Sequence, residues 1–362
     1  KHGMDFVALE LIRALQKLDV SNQYVVFTND GPDKDCLLES ENVKIVTFGG
    51  SFPVWEQILL PKYAKQHSCD ILHCTSNTAP VYSKVPVVVT LHDIIYLENN
   101  PLIARGYNSY QRFGNYYRRI VVKAILTKAR KIITVSNFEK KRLVEFLGLS
   151  SEKVSVTYNG VGVHFFEKHG RGEILKVASR YGLPANYFLF LGNTDPKKNS
   201  KNTILAFVKF IDRVKSDVQL VVADYNKELV REILRSAGLE KYFSRIHFTG
   251  YIDNNDLPLV IQGAQVFLYP SKRESFGIPI LEAMAVGIPV ITSDVASMPE
   301  VSGGYSYLVD PLNLESIIKG MEDLSTDKKL WNRLSAGGRE RAASFRWKNA
   351  ASQMLEIYKT VN

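Results

Sequence analysis

Cysteine is scarce in this chain of 362 residues: there are three, Cys36, Cys69 and Cys74. Their number is odd and they form no metal spacing, which weighs against both a disulfide framework and a structural zinc site. Small core residues in a reducing cytoplasm are the simplest reading. The seven histidines build no HxxxH or HExxH pattern, so no protein-bound metal is expected. No apolar run approaches the eighteen or so residues a membrane span needs, and no secretory leader is visible. Repeats at solenoid periods and low-complexity tracts are also lacking. What remains, 45% hydrophobic and 23% charged residues, is an ordinary soluble composition at a length that suits two domains.

A net excess of either charge sign is missing from most of the chain as well. The net charge is +9, yet residues 102–142 hold eleven Lys and Arg against one acid, Glu139, leaving the remainder close to neutral. Tyr107, Tyr110, Phe113, Tyr116, Tyr117 and Phe138 are interleaved with these cations. Basic residues mixed with aromatics suit an anionic membrane surface. No nucleic-acid-binding motif accompanies them, so nucleic acid is not expected as a partner. A solvated helix whose charges only aid solubility is the plainer alternative.

Periodicity gives an alternation of strands and helices. Apolar residues at helical spacing fill 4–18. Strands read at 24–28, 43–48, 70–73, 85–91, 131–135 and 154–158, with helices at 54–67, 104–129 and 138–147. The segment 160–172 carries glycines at 160, 162, 170 and 172 and marks a boundary. A second series then has strands at 187–191, 218–222, 246–249, 266–269 and 289–292. Its helices read at 203–214, 227–237, 255–262, 314–324 and 327–342, and a last amphipathic one at 348–361. One more helix opens near Pro279, which is pre-organised for a first helical turn.

Several polar residues fall at the carboxyl ends of these strands, where open α/β sheets bind ligands. Glu274 lies in the loop after 266–269, and Glu282 in the helix that follows. A carboxylate there can accept from two vicinal hydroxyls, as on a ribose or hexose. Equally, Glu282 can merely complement a helix dipole while Glu274 is a solvated loop residue. Lys198 precedes a helix start, where a lysine and the amides can neutralise a diphosphate, although a solvated lysine is common. His92, followed by Asp93, ends the strand 85–91; a lone histidine is more often a structural hydrogen-bonder. Ser136 reads as a helix cap or as a phosphate contact.

The run E-S-F-G-I-P-I-L-E-A-M-A-x-G-x-P-V-I-T-S from Glu274 closely resembles the nucleotide-binding signature of retaining glycosyltransferases of the group 1 type, glycosyltransferase family 4. The turn G-x-x-D-P-x-K-N from Gly192, Asn159-Gly160-Val161, and the segments 248–252, 295–301 and 306–311 match as well. The resemblance implies an α/β chain of GT-B fold: two Rossmann-like doubly wound domains, 1–162 and 163–344, facing a cleft. A C-terminal helix, 345–362, would cross back to the first domain. It implies that His92 faces the donor sugar with Asp93 orienting it, and that Lys198 binds the diphosphate. Glu274 would hold the sugar hydroxyls and Glu282 the ribose diol, with Phe276, Gly277 and Ile278 around the nucleotide. Gly3 aligns with the end of a glycine-rich turn and Ser136 with a turn near the phosphates. Asn193 stands where many relatives carry arginine, and the family's opening strand is missing from this numbering.

The implied reaction is retaining transfer of a hexosyl group, mannosyl among the candidates. It would run from a GDP-sugar or UDP-sugar to a glycan or lipid-linked acceptor, in cell-surface polysaccharide or glycolipid synthesis, without a metal or other cofactor. The implied place is the cytoplasm, peripheral on the inner face of the membrane. A nucleotide-sugar 2-epimerase of the same fold and a non-catalytic nucleotide-sugar-binding protein are the alternatives. Base, sugar, acceptor and oligomeric state are left open.

Overall fold

The computed structural model describes residues 3–31, 36–98 and 109–361, except the side chains of 109–113 and 115. The expected helical start at 104–108, Arg105, Tyr107 and the side chains of Tyr110, Arg112 and Phe113 therefore lie outside the described residues. The chain divides into two compact units, Lys1–Gly160 with Trp347–Asn362, and Val161–Arg346.

In the first unit strands β1 (Tyr24–Thr28) and β2 (Val43–Thr47) pair in parallel as a sheet of their own. Strands β3 (Leu72–Cys74), β4 (Val87–Thr90), β5 (Lys131–Thr134) and β6 (Val154–Val156) form a second parallel sheet, in that order. All four residues of β4 are buried, the unbroken apolar run of a parallel strand covered on both faces. The C-terminal helix Trp347–Lys359 belongs to this unit. Its Ala350, Ala351, Met354 and Ile357 share a core with Leu11 and Leu15 of the first helix, Met4–Leu18, and with Val88 and Ile133. Entry of that helix is so close to Gly160 that a Cβ there would lie 2.4 Å from the Trp347 nitrogen, so only glycine fits.

One helix departs from the regular form its periodicity suggests. The run expected over 54–67 is broken into Phe52–Val54, a π-helical turn Trp55–Leu59, and Leu60–Gln66. Pro61 has no N–H to give and its ring would crowd the carbonyl four residues back. The wider turn, closed by Leu60 N–H donating to Trp55 O, relieves that conflict.

In the second unit strands β7 (Tyr187–Leu191), β8 (Gln219–Ala223), β9 (Ile246–Gly250), β10 (Val266–Tyr269), β11 (Val290–Ser293) and β12 (Tyr307–Val309) form one sheet. Its order is β12-β11-β10-β7-β8-β9, and every pairing is parallel. Phe188 and Phe190 of β7 meet Phe207 and Phe210 of the helix Ser200–Val214, the rings of Phe188 and Phe210 stacking at 5.6 Å. These fully buried rings fix the central strand and the helix after it. Among the described residues no helix is long and apolar enough to cross a membrane.

Candidate active site

The chain leaves β7 for β8 and β9 on one side, then returns to β10, β11 and β12 on the other. The carboxyl ends of β7 and β10 therefore flank the topological switch point, where connecting loops splay apart and leave room for a ligand. The loops 192–199 and 270–277 emerge there and are fastened to each other. Lys272 N–H donates to Lys197 O at 2.7 Å. Asn199 adopts φ +60°, and its Nδ2 donates to Pro270 O at 3.0 Å and Pro311 O at 2.7 Å. Ser297 Oγ lies 2.9 Å from Glu274 O and 3.0 Å from Phe276 O, pinning the second loop from below. Ser293 Oγ donates to Ser271 O at 2.6 Å.

This scaffold brings Lys198 and Glu274 into contact, with Nζ 2.7 Å from Oε1. The same ammonium donates to the Tyr269 hydroxyl at 2.8 Å. Tyr269 is buried at the end of β10, and burial first, then the Glu274 charge, pushes its phenol well above the usual range. It stays a neutral donor. Glu282 also bears electrostatically on this phenol, so Tyr269 links the two glutamates.

Glu282 sits in the helix Ile278–Val286, where every residue from Ile280 onward is buried. Loss of water pushes its carboxyl from an ordinary 4.5 up to about 7. The helix starts at Gly277, φ +98°, and no side chain caps it, which leaves its positive end without a protein anion from a cap. Phe276 is buried and packs against Phe345 with ring centres 5.9 Å apart, and Ile278 is half-buried. A cation, a neutral phenol, two carboxyls and an uncapped helix end thus converge on the switch point. Such a set can hold a diphosphate beside two pairs of sugar hydroxyls.

Asn193 is exposed and shapes its own turn, Oδ1 accepting from Asp195 N–H at 2.8 Å and its carbonyl from Ser200 Oγ at 2.7 Å. The remaining residues named from sequence belong to the first unit. Gly3 is exposed at φ +50° before the first helix. Ser136 is fully buried and caps the helix Asn137–Leu147, its Oγ accepting from Glu139 N–H at 3.1 Å. His92 is buried and its Nε2 donates to Thr75 O at 2.9 Å, which fixes the tautomer because a carbonyl only accepts. Burial lowers the pKa of this ring, against the Thr75 carbonyl and Asp93, which raise it. Asp93 does not orient the ring as the resemblance implies; its Oδ1 accepts from Ile95 N–H at 3.2 Å, so the Thr75 carbonyl performs that task.

Tyr269 is the site residue that the sequence reading misses. It reads as one more apolar strand residue, and only its place, last in β10 and just before Pro270, hints at the carboxyl end of the sheet. Among the described side chains of the helix Ser109–Lys128, Tyr116, Ile120, Lys123, Thr127 and Lys128 are exposed, two of them cations beside an aromatic and an aliphatic residue. Arg142 is engaged by Glu98 at 2.5 Å, Lys131 donates to Glu152 O at 2.7 Å, and Lys128 lies 3.5 Å from the Tyr82 ring centre.

Residues 176–341 match the family described as glycosyl transferases group 1, and residues 2–165 match glycosyltransferase family 4. The O-antigen chain mannosyltransferase B of Escherichia coli is 28% identical over 65% of this chain. The serotype-specific mannosyltransferase WbdA of the same organism is 28% identical over 74%. This chain spans 61% of the length of the first and 33% of the second. Among solved structures, Anabaena Alr3699/HepE in complex with UDP superposes with a TM-score of 0.76 at 19% identity, over 99% of this chain and 96% of that one. WaaG, a glycosyltransferase involved in lipopolysaccharide biosynthesis, gives 0.70 at 16% identity over 98% and 95%.

Proposed function

The chain belongs to the group 1 glycosyltransferases of the family 4 type, with the GT-B fold, and on that footing we propose that it transfers a hexosyl group from a nucleotide diphosphate sugar to a hydroxyl of a glycan or lipid-linked acceptor, with retained anomeric configuration. The observation that carries this reading is the convergence of Lys198, Tyr269, Glu274 and Glu282 at the switch point of the second unit. Glu282 would accept from the ribose diol, and Glu274 from hydroxyls of the transferred sugar. Lys198, Tyr269 and the helix start at Gly277 and Ile278 would stabilise the leaving diphosphate, where negative charge develops. Fixed donors and one cation supply that stabilisation without a call on a metal. No side chain is assigned as a nucleophile: the departing phosphate itself would help take the acceptor proton. His92, Ser136 and Gly3 of the first unit are assigned to the reaction from the resemblance. The mannosyltransferase names of the relatives favour a mannosyl donor in polysaccharide synthesis.

The base is tested by a melting-temperature panel with UDP, GDP and ADP. A nucleotide at 100 times its dissociation constant should add about 2.7 kcal/mol of stability, a shift of several degrees. A GDP response would fit the mannosyl reading, and a UDP response would redirect it to another hexose. Indifference to all three would sink the donor site.

We further propose peripheral attachment of the first unit to an anionic membrane on the cytoplasmic side. The exposed Tyr116, Ile120 and Lys123 stand on one helix face, and Lys128 and Arg130, both exposed, follow at its end. Basic residues contribute about 1 kcal/mol each near such a surface, with aromatics at the interface. Co-sedimentation with anionic vesicles should be lost at high salt and in the Lys123→Glu, Lys128→Glu, Arg130→Glu triple variant. Failure to bind anionic vesicles at low salt would leave a soluble enzyme.

A further inference from the structure

Glu56 is a buried carboxylate, 4% exposed, on the π-helical turn of the first unit, and the reaction scheme above gives it no part. Three neutral donors surround it. Thr78 Oγ1 donates to its Oε1, while Tyr117 OH and Gln57 Nε2 donate to its Oε2 at 2.5 and 2.8 Å. Gln57 Nε2 also reaches Ala79 O at 3.1 Å and Tyr117 OH at 2.9 Å, and its Oε1 accepts from Val81 N–H at 2.9 Å. A carboxylate and an amide from one irregular turn thus fasten the segment 78–81.

That segment is continuous with the one that holds His92. Asn77 is buried in the left-handed region at φ +65°. Its N–H donates to Thr90 O at 3.0 Å, and its Oδ1 accepts from the His92 N–H at 2.6 Å. Thr75 O accepts from His92 Nε2. Both the backbone and the ring of His92 therefore hang on residues 75–77, and Glu56 clamps the next residue. Glu56 and Gln57 reach this segment together from the π-helical turn, their side chains joined to each other at 2.8 Å. Tyr117, the third member, lies in the helix Ser109–Lys128 that carries the mixed basic and aromatic face.

We propose that Glu56, with Tyr117, is a positioning residue for His92: it holds the 75–78 loop so that the ring keeps its Nε2–H tautomer and leaves Nδ1 to accept from a substrate hydroxyl. The proposal rests on the assignment of His92 to the transfer reaction. Through Tyr117 it ties the ring to the helix that carries the exposed Tyr116, Ile120 and Lys123. In Glu56→Gln one acceptor oxygen becomes an NH2, so Thr78 Oγ1 must turn round to accept from it and the charge-assisted hydrogen bonds are lost, which loosens the clamp. Thr78→Val and Tyr117→Phe each remove one hydroxyl with little change of shape.

The test uses ring nitrogen-15 spectra of the full chain, with His92→Ala identifying the signal, beside kcat and KM for donor. The parent should show a neutral Nε2–H tautomer. Glu56→Gln and Thr78→Val should turn that signal into tautomer exchange and lower kcat by about tenfold or more, with donor KM within about twofold. Glu56→Asp should recover part of kcat if it reaches Thr78. A parent-like His92 signal in both the Gln and the Val variants would overturn the proposal, as would a lowered melting temperature with kcat unchanged. The spectra need no turnover. A chain that transfers no sugar but shows the tautomer change would therefore refute the reaction and leave the clamp standing.

Discussion

Glu282→Ala is expected to weaken nucleoside diphosphate binding by roughly 10- to 150-fold, because a charged hydrogen-bond acceptor worth about 1.5–3 kcal/mol is lost to the ribose diol. Glu274→Ala should bind the same nucleotide like the parent and lose transfer, since its partners are assigned to the sugar. Calorimetry with the nucleotide alone separates the two, and equal binding by both variants would remove Glu282 from the site. The acidity of Glu282 adds a second readout. Its carboxyl titrates at about 7 in the fold against an ordinary 4.5. The folded state therefore holds its proton more tightly than the unfolded chain does, so this group's contribution is most favourable below about pH 4.5. That contribution declines as pH rises to 7, where the full penalty of ionising a buried acid is about 3 kcal/mol. Nucleotide affinity should run the other way and strengthen through pH 7, because the diol needs an ionised acceptor. Glu282→Gln should flatten both dependences and melt higher than the parent at pH 8. A parent-like slope in that variant would place the titrating group elsewhere.

Lys198→Ala should lower turnover by about 10²- to 10³-fold, the usual consequence of losing one preorganised donor to developing charge. Donor binding should fall by about tenfold or less, since the diphosphate carries less charge on its leaving oxygen before the bond breaks. Equal losses would mean that the lysine binds ground and transition states alike. No loss in either would reduce Lys198 to a structural partner of Glu274. That partnership complicates the measurement in a predictable way. In the ligand-free site the ammonium is committed to Glu274 and Tyr269, so its removal leaves a mostly buried carboxylate without a counter-charge and should also lower the melting temperature. Adding Glu274→Gln to Lys198→Ala should restore stability, which traces the lowered melting temperature to the unpaired carboxylate; the chemical role is read from Lys198→Ala alone, as its turnover loss in excess of its binding loss.

The strands that build this site were legible because a parallel sheet covered on both faces demands unbroken apolar runs, and 187–191 and 266–269 are such runs. Their loops were legible through glycine, proline and the resemblance of the 274–293 segment. Element ends were less so. The helix after 192–199 starts at Ser200 and not at 203, because Asn199 turns the chain in the left-handed region immediately before it. The Lys198–Glu274 pair joins residues 76 positions apart, and no local pattern reports such a contact. Glu56 was invisible for another reason. Its periodicity belongs to a regular helix, and the π turn that carries it depends on how one proline is accommodated. The separate β1–β2 ladder likewise follows from pairing, which periodicity does not specify.

Asn199 sets a limit on the chemical alphabet allowed at its position. The backbone there demands a residue at ease with φ +60°, and two carbonyls from distant loops demand two N–H donors at once. Glycine meets the first demand and supplies no donor. Aspartate meets the first and turns a negative oxygen toward both carbonyls. Glutamine has the donors, but carries them on a longer arm and tolerates the conformation poorly. Only asparagine among the twenty answers both conditions, so one amide works as the keystone through which the lysine loop and the glutamate loop are read as a single surface.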